Sequence, residues 1–135
     1  MAAGLCDAAL GRDTGGSIRI PASLCGIAGL KPTYGLVPKT GVEPLSWSLD
    51  HVGPITRRVA DAAAVFEAIA GPDVNDPTTL PDEVPTMLAN IDGGVKGLRI
   101  GVDETYIAGI ADVEVQASVL AAIDELEKLG AIRVP

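Results

Sequence analysis

"GRDTGGSIRIPASLCGIAGLKPTYGLVP", residues 11–38, sets a serine directly behind a Gly-Gly pair, with Asp13, Arg12 and Arg19 close by. After the glycines, "SIRIPASLCG" can begin a short helix. "IAGLKPTYGLVP" then reads as an extended segment broken by Pro32, Gly35 and Pro38. Three common glycine motifs do not fit. A phosphate-binding P-loop needs a lysine after its last glycine, and none follows Gly16. The spacing G-x-G-x-x-G is absent. A G-x-S-x-G elbow needs glycine where Arg19 stands. What remains is a Gly-Gly-Ser turn at a helix start. Residues without a Cβ let successive N–H groups converge, and a helix start adds unpaired donors. Two readings stand: Ser17 caps the helix, or Ser17 is a nucleophile beside an N–H nest that suits an oxyanion.

Outward from this stretch, "MAAGLCDAALG" resembles a helix end followed by a short buried strand around residues 8–10. Downstream, "TRRVADAAAVFEAIAGP" is the clearest helix. Val59, Ala62, Ala63, Phe66, Ile69 and Ala70 make its apolar stripe, Thr56 is a candidate N-cap, and Gly71-Pro72 is a stop. "PDVNDPTTLPDEVP" reads as a surface loop and "GLRIGVDE" as a short buried strand. A second long helix follows in "DVEVQASVLAAIDELEKLG", with Val119, Leu120, Ile123, Leu126 and Leu129 inward. Asp112 can cap it, Asp124 and Lys128 can pair, and Gly130 ends it. "AIRVP" begins another strand. Strand, helix, strand at this spacing is a βαβ unit with parallel pairing, so the expected class is α/β.

Composition narrows the function. With 135 residues, 47% of them apolar, the chain can bury a core. Its four aromatic residues leave that core mostly to Ala, Val, Ile and Leu. Residues 1–60 carry six Lys/Arg against four Asp/Glu, whereas residues 61–135 carry four against fourteen. So acidic a surface repels phosphate backbones, which argues against direct nucleic-acid binding by this segment. Cys6 and Cys25 sit among small apolar residues and read as buried thiols in a reducing compartment. One histidine and two cysteines make a poor metal site, so no metal or cofactor is expected. No leader pattern and no apolar run of about 18 residues appears, and a soluble, cytoplasmic protein without membrane contact is expected.

The stretch 11–38 is very similar to the signature of the amidase signature family, whose members cleave linear carboxamide C–N bonds. The similarity continues through "GVEPLSWSLDHVGPITRRVADAAAVFEAIAG" and "GLRIGV", and so spans essentially the whole chain. It implies a portion of the amidase signature fold, a mixed β-sheet core covered by helices and incomplete at both ends. Residues 1–135 would be a partial amidase domain, with the nucleophile loop in 1–60 and a helix-loop-strand-helix region in 61–135. The family uses a Ser–Ser–Lys triad. Its acyl-accepting serine falls on Ser17, and its oxyanion-hole N–H groups fall on Thr14, Gly15, Gly16 and Ser17. A small-molecule amide is the implied substrate.

The departures are equally specific. The family's second serine and its lysine belong to motifs upstream of the nucleophile, and "MAAGL" resembles the helix just after them. Lys31 matches a different family position. The expectation is therefore that the remainder of the amidase domain is missing and that these 135 residues alone are inactive. Amidase-like subunits of the tRNA-dependent amidotransferases typically carry Gln after S-I-R, where this chain has Ile20, which favours a stand-alone amidase. A non-catalytic binding or assembly remnant and a simple anion-binding domain are the competing classes; a homo-oligomer is compatible with all. Arg19 bridges Asp13 or meets a substrate carboxylate. Asp13 reads as a loop-fixing acceptor, and Arg12 as solvent-facing. A structural role is expected for His51, packing for Trp47 and Tyr34, and surface exposure for Arg57 and Arg58.

Overall fold

The residues leading into the glycine pair form β1 (Ala8–Asp13) in the computed structural model, which describes residues Met1–Pro135. The chain divides into two compact units, Met1–Ile91 and Asp92–Pro135. In the first, β1 is followed by α1 (Arg19–Cys25), β2 (Ala28–Gly29), β3 (His51–Thr56), α2 (Val59–Ile69) and α3 (Met87–Asn90). The strands form an antiparallel sheet in the order β1-β3-β2, with Gly11 opposite Gly53 and Gly29 opposite Ile55.

The central strand, "HVGPIT", contains both a glycine and a proline, and the structure accounts for each. A Cβ on Gly53 would lie 2.0 Å from the Leu30 carbonyl oxygen, so only glycine fits. Leu30 N–H donates to the Pro54 carbonyl at 3.0 Å. A strand residue's N and O face the same side, so the donor that proline lacks would point where β2 has already ended. Gly11, Gly29 and Gly53 share one face of the sheet. Side chains there would collide with Ile18 or Ala22, which are buried against it. Glycine thus lets α1 lie directly on the sheet. Pro21 is tolerated in the first turn of α1, and Gly26, at φ +62°, closes its end through bonds to Ala22 O and Ser23 O.

The opposite face carries Val52, packed with Phe66 of α2 and with Val37; Leu30, Leu36, Ile69, Ala70, Val84 and Met87 surround them. Phe66 is fully buried, worth about 1.5–3 kcal/mol. Ala62 and Ala63 are buried as the stripe requires, but Val59 at the start of α2 is exposed. The N-cap of α2 is Arg58 rather than Thr56, whose hydroxyl instead donates to Arg58 O at 2.7 Å.

The second unit contains β4 (Arg99–Gly101), α4 (Glu104–Ile110), α5 (Val113–Lys128) and β5 (Ile132–Val134). β4 and β5 pair in parallel, as a βαβ unit should. Only Ile123 of α5 is buried; Leu120 and Leu126 are half-buried, and Val119 and Leu129 are exposed. Asp112 occupies the N-cap without a side-chain bond, whereas Asp103 caps α4 by accepting from Tyr106 N–H at 2.8 Å. Lys128 pairs with Glu125, one turn back, rather than with Asp124, which lies 3.9 Å from Arg133. Arg133 also bonds Glu104. Gly130, at φ +99°, lies just beyond α5, and its carbonyl accepts from Gly97 N–H.

Other expectations are corrected as well. Residues 1–4 form a turn rather than a helix end, and β1 is longer than expected, with Ala8 and Leu10 exposed. β4 is not buried, since only Ile100 is even half-covered. Cys6 and Cys25 are both exposed. The loop 72–85 is not purely a surface loop, because Asp76 is buried and accepts from Lys39 N and from both Thr78 N and Oγ1. No helix is long and apolar enough to cross a membrane.

Candidate active site

The turn from β1 into α1 is held at its far end by Asp13. This carboxylate is buried, and its Oδ2 accepts from Ile18 N at 3.3 Å, Arg19 N at 3.4 Å and Arg19 Nε at 3.0 Å. Its Oδ1 takes Arg19 Nη2 at 3.0 Å, completing a two-pronged bridge. The Arg19 side-chain bond is the main reason that the Asp13 carboxyl falls from 3.8 to about 2; burial opposes it, and the Ile18 and Arg19 N–H groups reinforce it. In return the Arg19 guanidinium is pushed up by Asp13.

Between these anchors the backbone donors are unspent. The N–H groups of Thr14, Gly15, Gly16 and Ser17 bond to nothing in the fold. The first helical bond runs from Ile20 N to Gly16 O, at 2.7 Å. Gly16 has φ +137°, a region that side chains avoid, and it is buried. Ser17 is exposed; the N-cap of α1 is Ile18, without a side-chain cap bond. Capping is therefore not what the Ser17 hydroxyl does. No side chain of the chain bonds Ser17 Oγ.

Thr14 is tied to a residue that sequence reasoning did not single out. Its hydroxyl donates to Asp50 Oδ1, while Asp50 Oδ2 accepts from Leu45 N at 2.7 Å and Ser46 N at 3.0 Å. Burial pushes the Asp50 carboxyl up, but the Thr14, Leu45 and Ser46 bonds outweigh it, and its pKa lies below the usual range. Arg12, expected to face solvent, is half-buried and donates to Glu43 O. The available signal for Asp50 was thin: an acid just before a strand, 36 positions from its partner.

A cleft of about 320 Å³ opens on the other side of Asp50, lined by Lys39, Val42, Pro44, Trp47 and Asp76 among others. Trp47 is 77% exposed and lines this cleft instead of packing inside. Its carbonyl accepts from Tyr34 OH at 2.9 Å and Lys39 Nζ at 3.1 Å, and Lys39 Nζ also reaches Tyr34 OH at 2.8 Å. His51 is structural: Nδ1 lies 2.6 Å from Leu49 O, and the ring meets Tyr34 edge-on at 5.4 Å. Lys31 donates to the neighbouring Pro32 carbonyl. Arg57 and Arg58 are exposed as expected. The structure thus brings Asp13, Arg19 and residues 14–17 together and leaves His51, Lys31 and Lys39 out of bonding contact with Ser17.

Comparison with known proteins gives one family for the whole chain. The family model described as Amidase matches residues 1–135. An Amidase of Pseudomonas putida is 52% identical over 124 residues, covering 91% of this chain and 27% of its own length. The A subunit of the glutamyl-tRNA(Gln) amidotransferase of a Synechococcus species is 51% identical over 131 residues, covering 96% and 27%. The crystal structure of the corresponding A subunit from Thermotoga maritima shares the fold with a TM-score of 0.92 and 47% identity, over 98% of this chain and 30% of that one. The chain therefore spans about a quarter of the length of the curated relatives it matches. Matched along its whole length and sharing the mixed α/β fold of these enzymes, the chain belongs to the amidase family.

Proposed function

We propose that these residues carry the nucleophile and the oxyanion hole of an enzyme that cleaves a linear carboxamide C–N bond. The observation that carries this reading is the run of four unpartnered N–H groups at 14–17, ending at an exposed serine hydroxyl. Ser17 Oγ attacks the amide carbonyl carbon while its proton passes to a base. The N–H groups of Thr14, Gly15, Gly16 and Ser17 hold the tetrahedral oxyanion. The C–N bond then breaks, the nitrogen takes up a proton, and ammonia or an amine leaves. Water, or another acceptor, cleaves the acyl ester and frees Ser17. Asp13 and Arg19 hold the loop in this shape; Arg19 is half exposed and can also face a substrate carboxylate.

A serine hydroxyl needs a base. No group among the 135 residues bonds Ser17 Oγ, so the proton acceptor comes from elsewhere in the working enzyme, and the 135 residues by themselves hydrolyse no amide. A serine-directed fluorophosphonate should label Ser17 in the protein expressed from its complete reading frame, and not in Ser17→Ala; equal labelling of both would remove Ser17 as nucleophile.

A second reading is the amidase-like component of a tRNA-dependent amidotransferase, favoured by the close similarity to such proteins. The two readings share the acyl-enzyme and differ in what accepts the product. Ile20, after S-I-R, favours the stand-alone amidase. Release of free ammonia without any partner protein would support that choice, and activity only in a complex with tRNA would reverse it.

A further inference from the structure

We propose that Asp50 is a positioning residue for the chemistry at Ser17, holding Thr14 so that the first N–H of the run 14–17 stays aimed at the oxyanion; the proposal rests on the Ser17 reading above. β1 and β3 pair with Asp13 opposite His51. One step beyond that register, Thr14 meets Asp50, and the side chains bond. The two neighbouring positions do different work. Asp13 turns its carboxylate onto Ile18 N and Arg19, at the far end of the run. Thr14 turns its hydroxyl to Asp50, at the near end.

Two buried carboxylates thus clamp both ends of a segment whose middle is Gly15-Gly16, the most freely rotating pair a chain can offer. With the Asp13 clamp alone, the near end could pivot about those glycines, and a donor displaced by a fraction of an ångström loses its hold on developing charge. Closing the 45–50 loop needs only Oδ2 of Asp50, which takes Leu45 N and Ser46 N. Oδ1 is spent on Thr14, and a loop-closing acid would have no need of that bond. Asp50 N–H also donates to Ser46 O at 2.9 Å, so the carboxylate is anchored from its own backbone.

The test uses the protein expressed from its complete reading frame and a fluorophosphonate, whose phosphoryl oxygen stands where the oxyanion would. Ser17 Oγ bonds to phosphorus, fluoride leaves, and the serine proton passes through the base to solvent. Saturation labelling separates the binding constant from the maximal rate. Thr14→Val, which keeps the shape and removes the hydroxyl, should lower the maximal rate about 10- to 100-fold with binding changed by less than about threefold. Asp50→Ala should do the same, and the double variant should be no slower than the slower single one, because both remove the Thr14–Asp50 bond. Thr14→Ser should recover to within about threefold of wild type. A Thr14→Val rate within about twofold of wild type, or a Thr14→Ser protein as slow as Thr14→Val, would overturn the proposal. Should Asp50→Ala fail to fold by circular dichroism, the Thr14 pair decides alone. Labelling of Ser17→Ala at the wild-type rate is a separate outcome: it removes the nucleophile reading, and the Asp50 proposal falls with it.

Discussion

Replacing Asp13 with asparagine removes one negative charge and leaves nearly every heavy atom in place. The side chain is buried and accepts four bonds, two of them from the Arg19 side chain and two from backbone N–H groups. An amide can serve only part of that set, because its NH2 end meets donors. The charge contribution follows from the carboxyl pKa, which lies at about 2 in the fold against an ordinary 3.8. That difference corresponds to about 2–3 kcal/mol of stability at neutral pH. Arg19 is half exposed, so solvent screening trims the figure to about 2 kcal/mol.

The sign follows from linkage. A carboxyl with a depressed folded-state pKa stabilises fully above its unfolded pKa and loses that contribution as pH falls through the folded value. The gap in unfolding free energy between wild type and Asp13→Asn should therefore be widest at neutral pH. It should shrink by about half near pH 3, fall to roughly a sixth near pH 2 and close only below it. Urea unfolding followed by circular dichroism, at several pH values, measures it directly. Taking the difference removes carboxylates common to both proteins. A neutral-pH gap under about 0.5 kcal/mol, or a gap that stays constant from pH 5 to pH 2.5, would refute the reasoning. The first result would mean that the bridge is no stronger than its hydrated parts; the second, that its worth is steric rather than ionic.

One further substitution tests the frame around the site, and two test helix α4 of the second unit. Gly53→Ala places a Cβ 2.0 Å from the Leu30 carbonyl oxygen in the central strand, and thermal unfolding should show a loss of about 3 kcal/mol or more. Gly109→Ala in α4, with no atom within 4 Å of its Cβ, should instead gain about 0.5–1 kcal/mol. Asp103→Ala removes the N-cap bond to Tyr106 and should cost about 1 kcal/mol, seen as faster amide exchange in the first turn of α4.

What could be read from the sequence was chiefly what is local. The Asp13–Arg19 bridge spans six positions inside one turn, and "D-T-G-G-S-I-R" holds both partners. The stripe on α2 was legible because Ala62, Ala63 and Phe66 repeat at helical spacing. Its first member, Val59, was misplaced because periodicity gives a face and not how far the covering sheet extends. The same holds for Val119 on α5 and for Leu129 at its C-cap. Cys6 and Cys25 were read as buried from small apolar neighbours, but chain neighbours do not determine what packs on a side chain.

The central strand escaped notice for a physical reason. "HVGPIT" carries the two residues that most weaken a strand assignment, and each is present because of a distant partner. Gly53 is required by the Leu30 carbonyl, and Pro54 is permitted by the early end of β2. Asp50 belongs to the same class of hidden information. Nothing within a turn of "SLDHVGP" indicates that its acid should meet a threonine 36 positions earlier. That contact exists because β3 is the strand that β1 pairs with, so the feature that obscured the strand also obscured the clamp. The glycine-serine turn could be recognised by itself, but its rigidity is a property of the sheet. A variant that leaves residues 11–26 untouched and disturbs β3 should therefore weaken the site as surely as one within the turn.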